Sequence, residues 1–295
     1  MISSPAMSQD RLEASLDIDR ANAREIVRII QQEDARVAAA VAAEGDRIAH
    51  AIEQIVERLA HGGHLFYAGA GTSGRIAMLD ASELPPTYGI EPSLVRVLMA
   101  GGERAYFAAV EGAEDDEDAA IEAVNANVTA DDALVGIAAS GTTPYTLAAV
   151  RRANMLGALT VGITSAPGSP LAREVDIPIA PDTGPEVVMG STRMKSGTAQ
   201  KLILNTISTG VMIRLGRVHS NLMIDMPATN EKLRSRAVRM VELAAGVSRP
   251  MAVQAMRDAE GNVRLASVIA KRRVTAEEAR SLLASRSLRE LLESS

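Results

Sequence analysis

The feature that most constrains this chain is a grammar that repeats between residues 61 and 215. Short apolar runs bounded by breakers alternate with longer stretches of helical periodicity. The runs are 64–68 (HLFYA), 94–99 (LVRVLM), 133–138 (ALVGIA), 158–163 (ALTVGI) and 175–179 (VDIPI). Their length and flanking glycines make each of them a buried strand. Helical stretches at 73–83, 104–125, 144–156 and 193–215 separate or follow them. Alternation of this kind predicts an α/β fold, a doubly wound parallel sheet flanked by helices. Ligands of such sheets bind beyond the carboxyl ends of the strands. The loops at 69–75, 101–103, 139–143 and 190–195 are therefore the expected site.

The flanks read differently. Residues 1–60 carry isoleucines and valines at three- and four-residue spacing and stop at His61-Gly62-Gly63, so N-terminal helices packing on the core are expected. Residues 61–225 form the α/β domain. After about residue 225 the strand signal ends, and 227–246, 250–258, 261–270 and 276–293 read as helices of a small all-helical C-terminal domain, residues 226–295. The chain has two Phe, four Tyr and no Trp. Its core must be built from aliphatic side chains, which suits helices packed tightly on a parallel sheet. Tyr67, Tyr88, Tyr106 and Tyr145 lie near glycine-rich segments and read as core or pocket-wall residues.

Composition removes several classes of function. There is no cysteine, hence no disulfide and no thiol nucleophile. The net charge is −6 with both signs interspersed, unlike the basic face of a nucleic-acid binder. No run approaches the ~20 apolar residues of a membrane span. The opening MISSPAMSQDRLE has no basic or apolar leader segment. A cytoplasmic protein acting on a small molecule, away from membrane and nucleic acid, is expected. The four histidines form no ligand spacing, so no metal is expected.

Three turns have the composition of an anion cradle. Gly69-Ala70-Gly71-Thr72-Ser73-Gly74-Arg75 follows the first strand, Ser140-Gly141-Thr142-Thr143-Pro144 the third. Gly190-Ser191-Thr192-Arg193-Met194-Lys195 opens a later helix. Glycines admit a ligand close to the backbone, and free N–H groups at a helix start favour a phosphate. Thr72, Ser73, Ser140, Thr142, Thr143, Ser191 and Lys195 are thus candidate binders of a phosphorylated ligand. The same hydroxyls also suit ordinary N-caps, and Lys195 and Arg193 suit ion pairs with acidic neighbours. The first loop has the glycine spacing G-x-G-x-x-G at Gly69, Gly71 and Gly74, but no acidic residue closes the following strand as a dinucleotide fingerprint requires.

Two glutamates stand out. Glu83 precedes Pro85-Pro86, which are expected to end the helix there, placing a carboxylate at a C-terminus where the dipole raises its pKa as a general acid requires. A surface carboxylate fits that position equally. Glu114, after Gly112, lies where a helix can begin, which favours a carboxylate base. Acidic residues at helix starts are also routine solvated stabilisers.

The blocks GAGTSGRIAMLDASELPPTYG, MAGGERAYFAAVEGAEDDEDAA, GIAASGTTPYTLAAV, GSTRMKSGTAQKLILNTISTG and NLMIDMPATNEKL together resemble the N-acetylmuramic acid 6-phosphate etherases, a family built on the sugar-isomerase (SIS) domain. The resemblance spans residues 10 to 295. It implies an SIS-type domain, a helical C-terminal extension, a homodimer and no cofactor. It also implies loss of D-lactate from the phosphorylated sugar, Glu83 and Glu114 as the functional glutamates, and Ser73, Ser140 and Thr143 around the 6-phosphate. Where this chain has Thr142 the family pattern leads one to expect arginine. A sugar-phosphate isomerase and a non-catalytic sugar-phosphate-binding regulator share the fold and are the competing expectations. Asn230 and Glu231 are further residues of the last block that could bear on the site.

Overall fold

The computed structural model describes residues 10–293, so the expectations for residues 1–9 and 294–295 lie outside the described residues. The chain divides into two compact units. One comprises residues up to Ala81 together with Ser93–Val211, and the other Ser82–Pro92 together with residues from Met212 on. The second unit thus begins earlier than residue 226 and takes in a segment from inside the α/β region.

Among the described residues of the first unit, the N-terminal region holds two 3₁₀ turns, Glu13–Ser15 and Ile18–Arg20, and three α-helices: α1 (Ala23–Asp34), α2 (Val37–Ala42) and α3 (Gly45–Ala60). A capping box starts α1, with Asn22 Oδ1 accepting from Glu25 N and Glu25 Oε2 accepting from Asn22 N, both at 3.1 Å. In α3 the residues Ile48, Ala51, Ile55 and Leu59 recur at helical spacing and are buried, and the helix packs over the fourth and fifth strands.

Five parallel strands follow: β1 (Leu65–Gly69), β2 (Val95–Met99), β3 (Ala133–Ile137), β4 (Leu159–Ile163) and β5 (Ile177–Ile179), in the order β2-β1-β3-β4-β5. Every residue of β1, β3 and β4 is buried, as a sheet covered on both faces demands. The register levels the carboxyl ends: Gly69 pairs with Met99 on one side and Ile137 on the other, and Ile137 pairs with Ile163. At the opposite edge Asp132 ties β1 to β3. It accepts from His64 N (2.7 Å), Thr129 N (2.7 Å) and Thr129 Oγ1 (2.9 Å).

The crossovers are α4 (Gly71–Tyr88), α5 (Arg104–Phe107), α6 (Glu117–Asn127), α7 (Pro144–Leu156) and α8 (Pro170–Glu174), followed by α9 (Lys195–Arg214). Two expectations are corrected. The stretch 104–125 is not one helix: it breaks into α5, a 3₁₀ turn at Ala113–Asp115 and α6, because Gly112 adopts φ +73° and Asp116 caps α6 by accepting from Ala119 N. Nor does the first crossover stop before Pro85-Pro86. The prolines forfeit the hydrogen bonds to the carbonyls of Ala81 and Ser82, yet α4 runs on to Tyr88. Its last turn keeps Gly89 N donating to Pro85 O (2.9 Å), and Thr87 Oγ1 donates to Glu83 O (2.6 Å).

Inside the first unit a buried carboxylate binds three elements together. Asp80 on α4 accepts from Tyr67 OH of β1 (2.9 Å), and from Asn205 Nδ2 (2.5 Å) and Ser208 Oγ (3.0 Å) of α9. Three donors offset the cost of taking a carboxylate out of water. Burial, and then the charge of Asp80, push the Tyr67 hydroxyl well above its ordinary pKa, so it stays a donor. Of the four tyrosines read as core or pocket-wall residues, Tyr67, Tyr88 and Tyr145 are buried and Tyr106 is half-buried.

The second unit carries a two-residue antiparallel hairpin that the sequence did not announce, β6 (Val218–His219) and β7 (Leu222–Met223). Five helices follow: α10 (Glu231–Ala245), α11 (Arg249–Asp258), α12 (Val263–Arg272), α13 (Ala276–Ser285) and α14 (Leu288–Glu293). α12 is the hub, with its six consecutive residues Leu265–Ala270 all buried and α10, α11, α13 and α14 packed around it. The stretch 276–293 is two helices, since Ser287 starts a new one with its N–H donating to Glu290 Oε2 (2.9 Å). Asn230 is the N-cap of α10, accepting from Leu233 N (2.9 Å).

Candidate active site

A strand order of 2-1-3-4-5 reverses between β1 and β3, and the two crossovers leaving those strands open a crevice at their carboxyl ends. The turns that flank this point are Ala70–Ser73, entering α4, and Ala138–Thr143, entering α7. The topology thus brings together Thr72 and Ser73 with Ser140, Thr142 and Thr143, all within the first unit.

The local backbone explains the glycines. Gly74 lies where the first turn of α4 crosses β1, and an added methyl would meet Met99 Sδ and the Gly69 carbonyl. Gly141 has φ +65°, and a methyl there would meet Ser169 Oγ. The tight turns bring two helix N-termini up to the strand ends, where their free N–H groups attract anions.

The hydroxyls of these turns differ in what they bond. Thr143 is the N-cap of α7 and makes no side-chain capping bond, and Pro144 occupies the first helical position. Its half-buried hydroxyl is available to a ligand. Ser140 Oγ accepts from Thr142 N (3.2 Å) and Thr142 Oγ1 (3.0 Å), which fixes the turn. Ser73 is buried on the first turn of α4 and Thr72 half-buried beside it.

The third turn is different. Glu186, itself buried, accepts from Lys195 N and Ser196 N at 3.0 Å each, so the anion at the start of α9 is the chain's own. Lys195 Nζ lies 2.6 Å from Glu33 Oε2 of α1, with both side chains almost wholly buried. Of the two uses expected for Lys195, phosphate binding and pairing with an acidic neighbour, the geometry displays the second. Ser191 is half-buried in the preceding loop, its N–H donating to Val188 O (2.9 Å). Neither Glu186 nor Glu33 is marked in the sequence. A capping box would place its acid within the first turn, whereas these carboxylates return from remote segments.

Beside the first turn of α4 lies a cleft of 390 Å³, lined by Ala70, Gly71, Arg75, Met99, Ala100 and the segment Ala109–Glu114. Consecutive glycines with φ +81° and +66°, Gly101 and Gly102, turn the chain away from β2 and let this segment form the opposite wall. Glu114 sits in the 3₁₀ turn and is exposed at the cleft. Arg75 Nε donates to Ala105 O (3.0 Å), holding α5 against α4. Tyr145 at the start of α7 is buried, and burial, Tyr106 and Asp116 together push its pKa up to about 12.

Glu83 falls in the second unit. It is exposed and lies five residues before the last residue of α4, so the expected helix C-terminus beside it is absent, and with it the dipole argument for an acid there. Gly89 and the segment Ile224–Thr229 line a larger cleft of 740 Å³ in this unit, together with Arg217 and Arg264, whose guanidinium groups both face Asp225.

Comparison with known proteins fits this geometry. Residues 47–154 match the N-terminal SIS domain of glucokinase regulatory protein, and residues 104–209 match the SIS domain. The fold is shared with a phosphoheptose isomerase from Francisella tularensis (TM-score 0.52, 22% identity, covering 65% of this chain and 98% of the other). A Neisseria gonorrhoeae phosphoheptose isomerase is similar (TM-score 0.51, 19% identity, covering 64% and 98%). Sequence relatives reach much further. A Symbiobacterium thermophilum protein named N-acetylmuramic acid 6-phosphate etherase is 55% identical over 89% of this chain and 87% of its own. An Escherichia coli O1:K1 protein of the same name is 49% identical over 92% and 91%. Identity at that level along nearly the whole length, on this fold, means that the chain belongs to the N-acetylmuramic acid 6-phosphate etherase family.

Proposed function

We propose that this protein cleaves the D-lactyl ether of N-acetylmuramic acid 6-phosphate, giving N-acetylglucosamine 6-phosphate and D-lactate in the recycling of cell-wall sugars. The observation that carries this reading is the pair of hydroxyl-rich helix starts at the β1/β3 reversal, with a carboxylate-bearing cleft next to one of them. Thr72, Ser73, Ser140, Thr142 and Thr143 receive the 6-phosphate through hydroxyls and backbone N–H groups. Thr142, where the family pattern has arginine, contributes a donor without a charge. Ser191 remains a candidate binder in the loop before α9, while Lys195 is engaged by Glu33 through Nζ and by Glu186 through its N–H.

The chemistry needs two carboxylates and no metal or redox cofactor. In the open-chain sugar the aldehyde acidifies the hydrogen on carbon 2. A base takes that proton, the bond from carbon 3 to the ether oxygen breaks, and an acid protonates the departing oxygen of lactate. Water then adds to the unsaturated aldehyde, hydroxyl to carbon 3 and proton to carbon 2. Each positioned proton transfer contributes ~10²–10⁴ in rate. By the resemblance, Glu83 is the acid towards lactate and Glu114 the base or water activator. We place the protein in the cytoplasm as a homodimer. Among the described residues no helix is long and apolar enough to cross a membrane.

The test is incubation with N-acetylmuramic acid 6-phosphate in isotopically labelled water. D-Lactate, with label at the carbon 3 oxygen and carbon 2 hydrogen of the sugar, is the expected result, and Glu83→Gln should abolish it while sugar phosphate still binds. A second reading, a sugar-phosphate-binding regulator, draws on the match of residues 47–154 to the regulatory-protein domain. It requires binding without turnover, so lactate release removes it. Conversion of an aldose phosphate to its ketose would instead identify an isomerase.

A further inference from the structure

We propose that Arg75 recognises the carboxylate of the lactyl group, so that the cleft beside α4 is the leaving-group subsite. The inference rests on the etherase reading above. The substrate of that reading carries two anions, a phosphate on carbon 6 and a carboxylate on the lactyl substituent of carbon 3. The phosphate is provided for by hydroxyls and helix-start amides. The carboxylate stands next to the bond that breaks and so next to the groups that act on carbons 2 and 3, of which Glu114 is one.

Arg75 is the one basic side chain lining the cleft that Glu114 borders. It is half-buried at the start of the second turn of α4. Its Nε donates to Ala105 O, and among the described residues it makes no ion pair. An arginine withdrawn from solvent ordinarily faces an acceptor that answers its planar fork, and a carboxylate does so through two parallel N–H···O bonds. With Nε committed to the wall of the cleft, the two terminal nitrogens remain for such an acceptor. Glu111 and Glu114 are exposed on the opposite wall. Their negative charge would repel a second carboxylate were it not for the guanidinium, so Arg75 decides whether the lactyl group can enter. The sugar product has lost that carboxylate and loses the contact, which favours its release.

The assignment separates substrate from product. In Arg75→Gln the KM for N-acetylmuramic acid 6-phosphate should rise about tenfold to hundredfold, the range of one charge-assisted contact. The inhibition constant of N-acetylglucosamine 6-phosphate, which has no carboxylate, should stay within about twofold on the same grounds. Arg75→Lys should recover part of the loss. Equal weakening of both sugars would mean that Arg75 only holds α5 in place, and unchanged KM would remove it from the site; either result overturns the proposal. If Arg75→Gln does not fold, wild-type protein with the lactyl group converted to its neutral amide decides the matter. A KM raised by the same factor supports the assignment, and an unaltered one overturns it. Lactate release from the natural substrate by wild-type protein, measured alongside, separates failure of the etherase reading from failure of this assignment.

Discussion

The starts of α7 and α9 carry the same sequence signature, glycine, serine and threonine entering a helix, yet the fold uses them in opposite ways. At α9 the chain supplies its own anion: Glu186 accepts from the first two helical N–H groups, and the nearby cation, Lys195, is matched by Glu33. At α7, among the described residues, no carboxylate side chain bonds the first helical N–H groups. Thr143 leaves its hydroxyl uncommitted, and the turn faces the reversal of strand order between β1 and β3. A helix start is electrostatically the same object in both places. Whether it becomes a ligand site depends on whether the rest of the chain already fills it.

The largest effect is expected at Lys195. Lys195→Met leaves the buried Glu33 with the exposed Arg36, 3.4 Å away, as its ionic partner, so it should lower the free energy of unfolding by about 3–5 kcal/mol, read from urea denaturation. The double variant Glu33→Leu with Lys195→Met should recover most of it, since apolar replacement of both partners is frequently neutral. A loss below about 1 kcal/mol in the single variant, the level of an exposed pair, would show that the pair is not isolated from water. Glu186→Gln is milder, because an amide oxygen still accepts from one of the two N–H groups. A loss of about 1–2 kcal/mol is expected from the charge-assisted bonds and the helix dipole together. Stability unaffected by that change would mean that α9 does not need an anion.

Much of this contrast was hidden from the sequence, for a physical reason. The strands and the turns after β1 and β3 were legible because their signals are local: apolar runs, glycines where φ is positive, hydroxyls before a helix. Glu33 and Glu186 act across folded distance, one from α1 and the other from a loop nine residues before α9, and no periodicity marks such returns. The Asp80 network was missed for the same reason, since its donors come from β1 and α9. Glu83 illustrates the opposite failure. The local rule that proline ends helices fails here, because α4 continues through Pro85 and Pro86, so the environment expected of that carboxylate is not the one it has. The cleft that Glu114 borders was readable only as a loop, because its wall depends on the turn at Gly101-Gly102.

At α7 the expected effects are smaller and fall on binding. Thr143 makes no capping bond, so Thr143→Ala should leave the unfolding free energy within about 0.5 kcal/mol. The dissociation constant of N-acetylglucosamine 6-phosphate should rise about fivefold to tenfold, the value of one hydrogen bond of about 1–1.5 kcal/mol. Calorimetric titration checks the second figure. If stability falls and affinity does not, the two helix starts are alike after all and Thr143 is an ordinary cap.

The smallest effect concerns Asp132, a second anion that the chain supplies to itself, at the amino edge of the sheet. Burial alone would raise its pKa, but the N–H groups of Thr129 and His64 and the Thr129 hydroxyl outweigh it and hold the carboxyl below its ordinary value of 3.8. The sign follows from proton counting. Near that ordinary value the unfolded chain binds more protons than the folded one, so the contribution is fully present above it and is lost as pH falls through the lower folded-state pKa. The gap in urea midpoint between wild type and Asp132→Asn should therefore be constant from about pH 6 to pH 5 and shrink between about pH 4 and pH 3. A gap that does not change with pH would show that the neutral amide serves these donors as well as the charge does. The distinction between chain-filled and ligand-filled anion positions would then rest on shape, and the open hydroxyls at α7 would be as ready for a neutral sugar as for a phosphate.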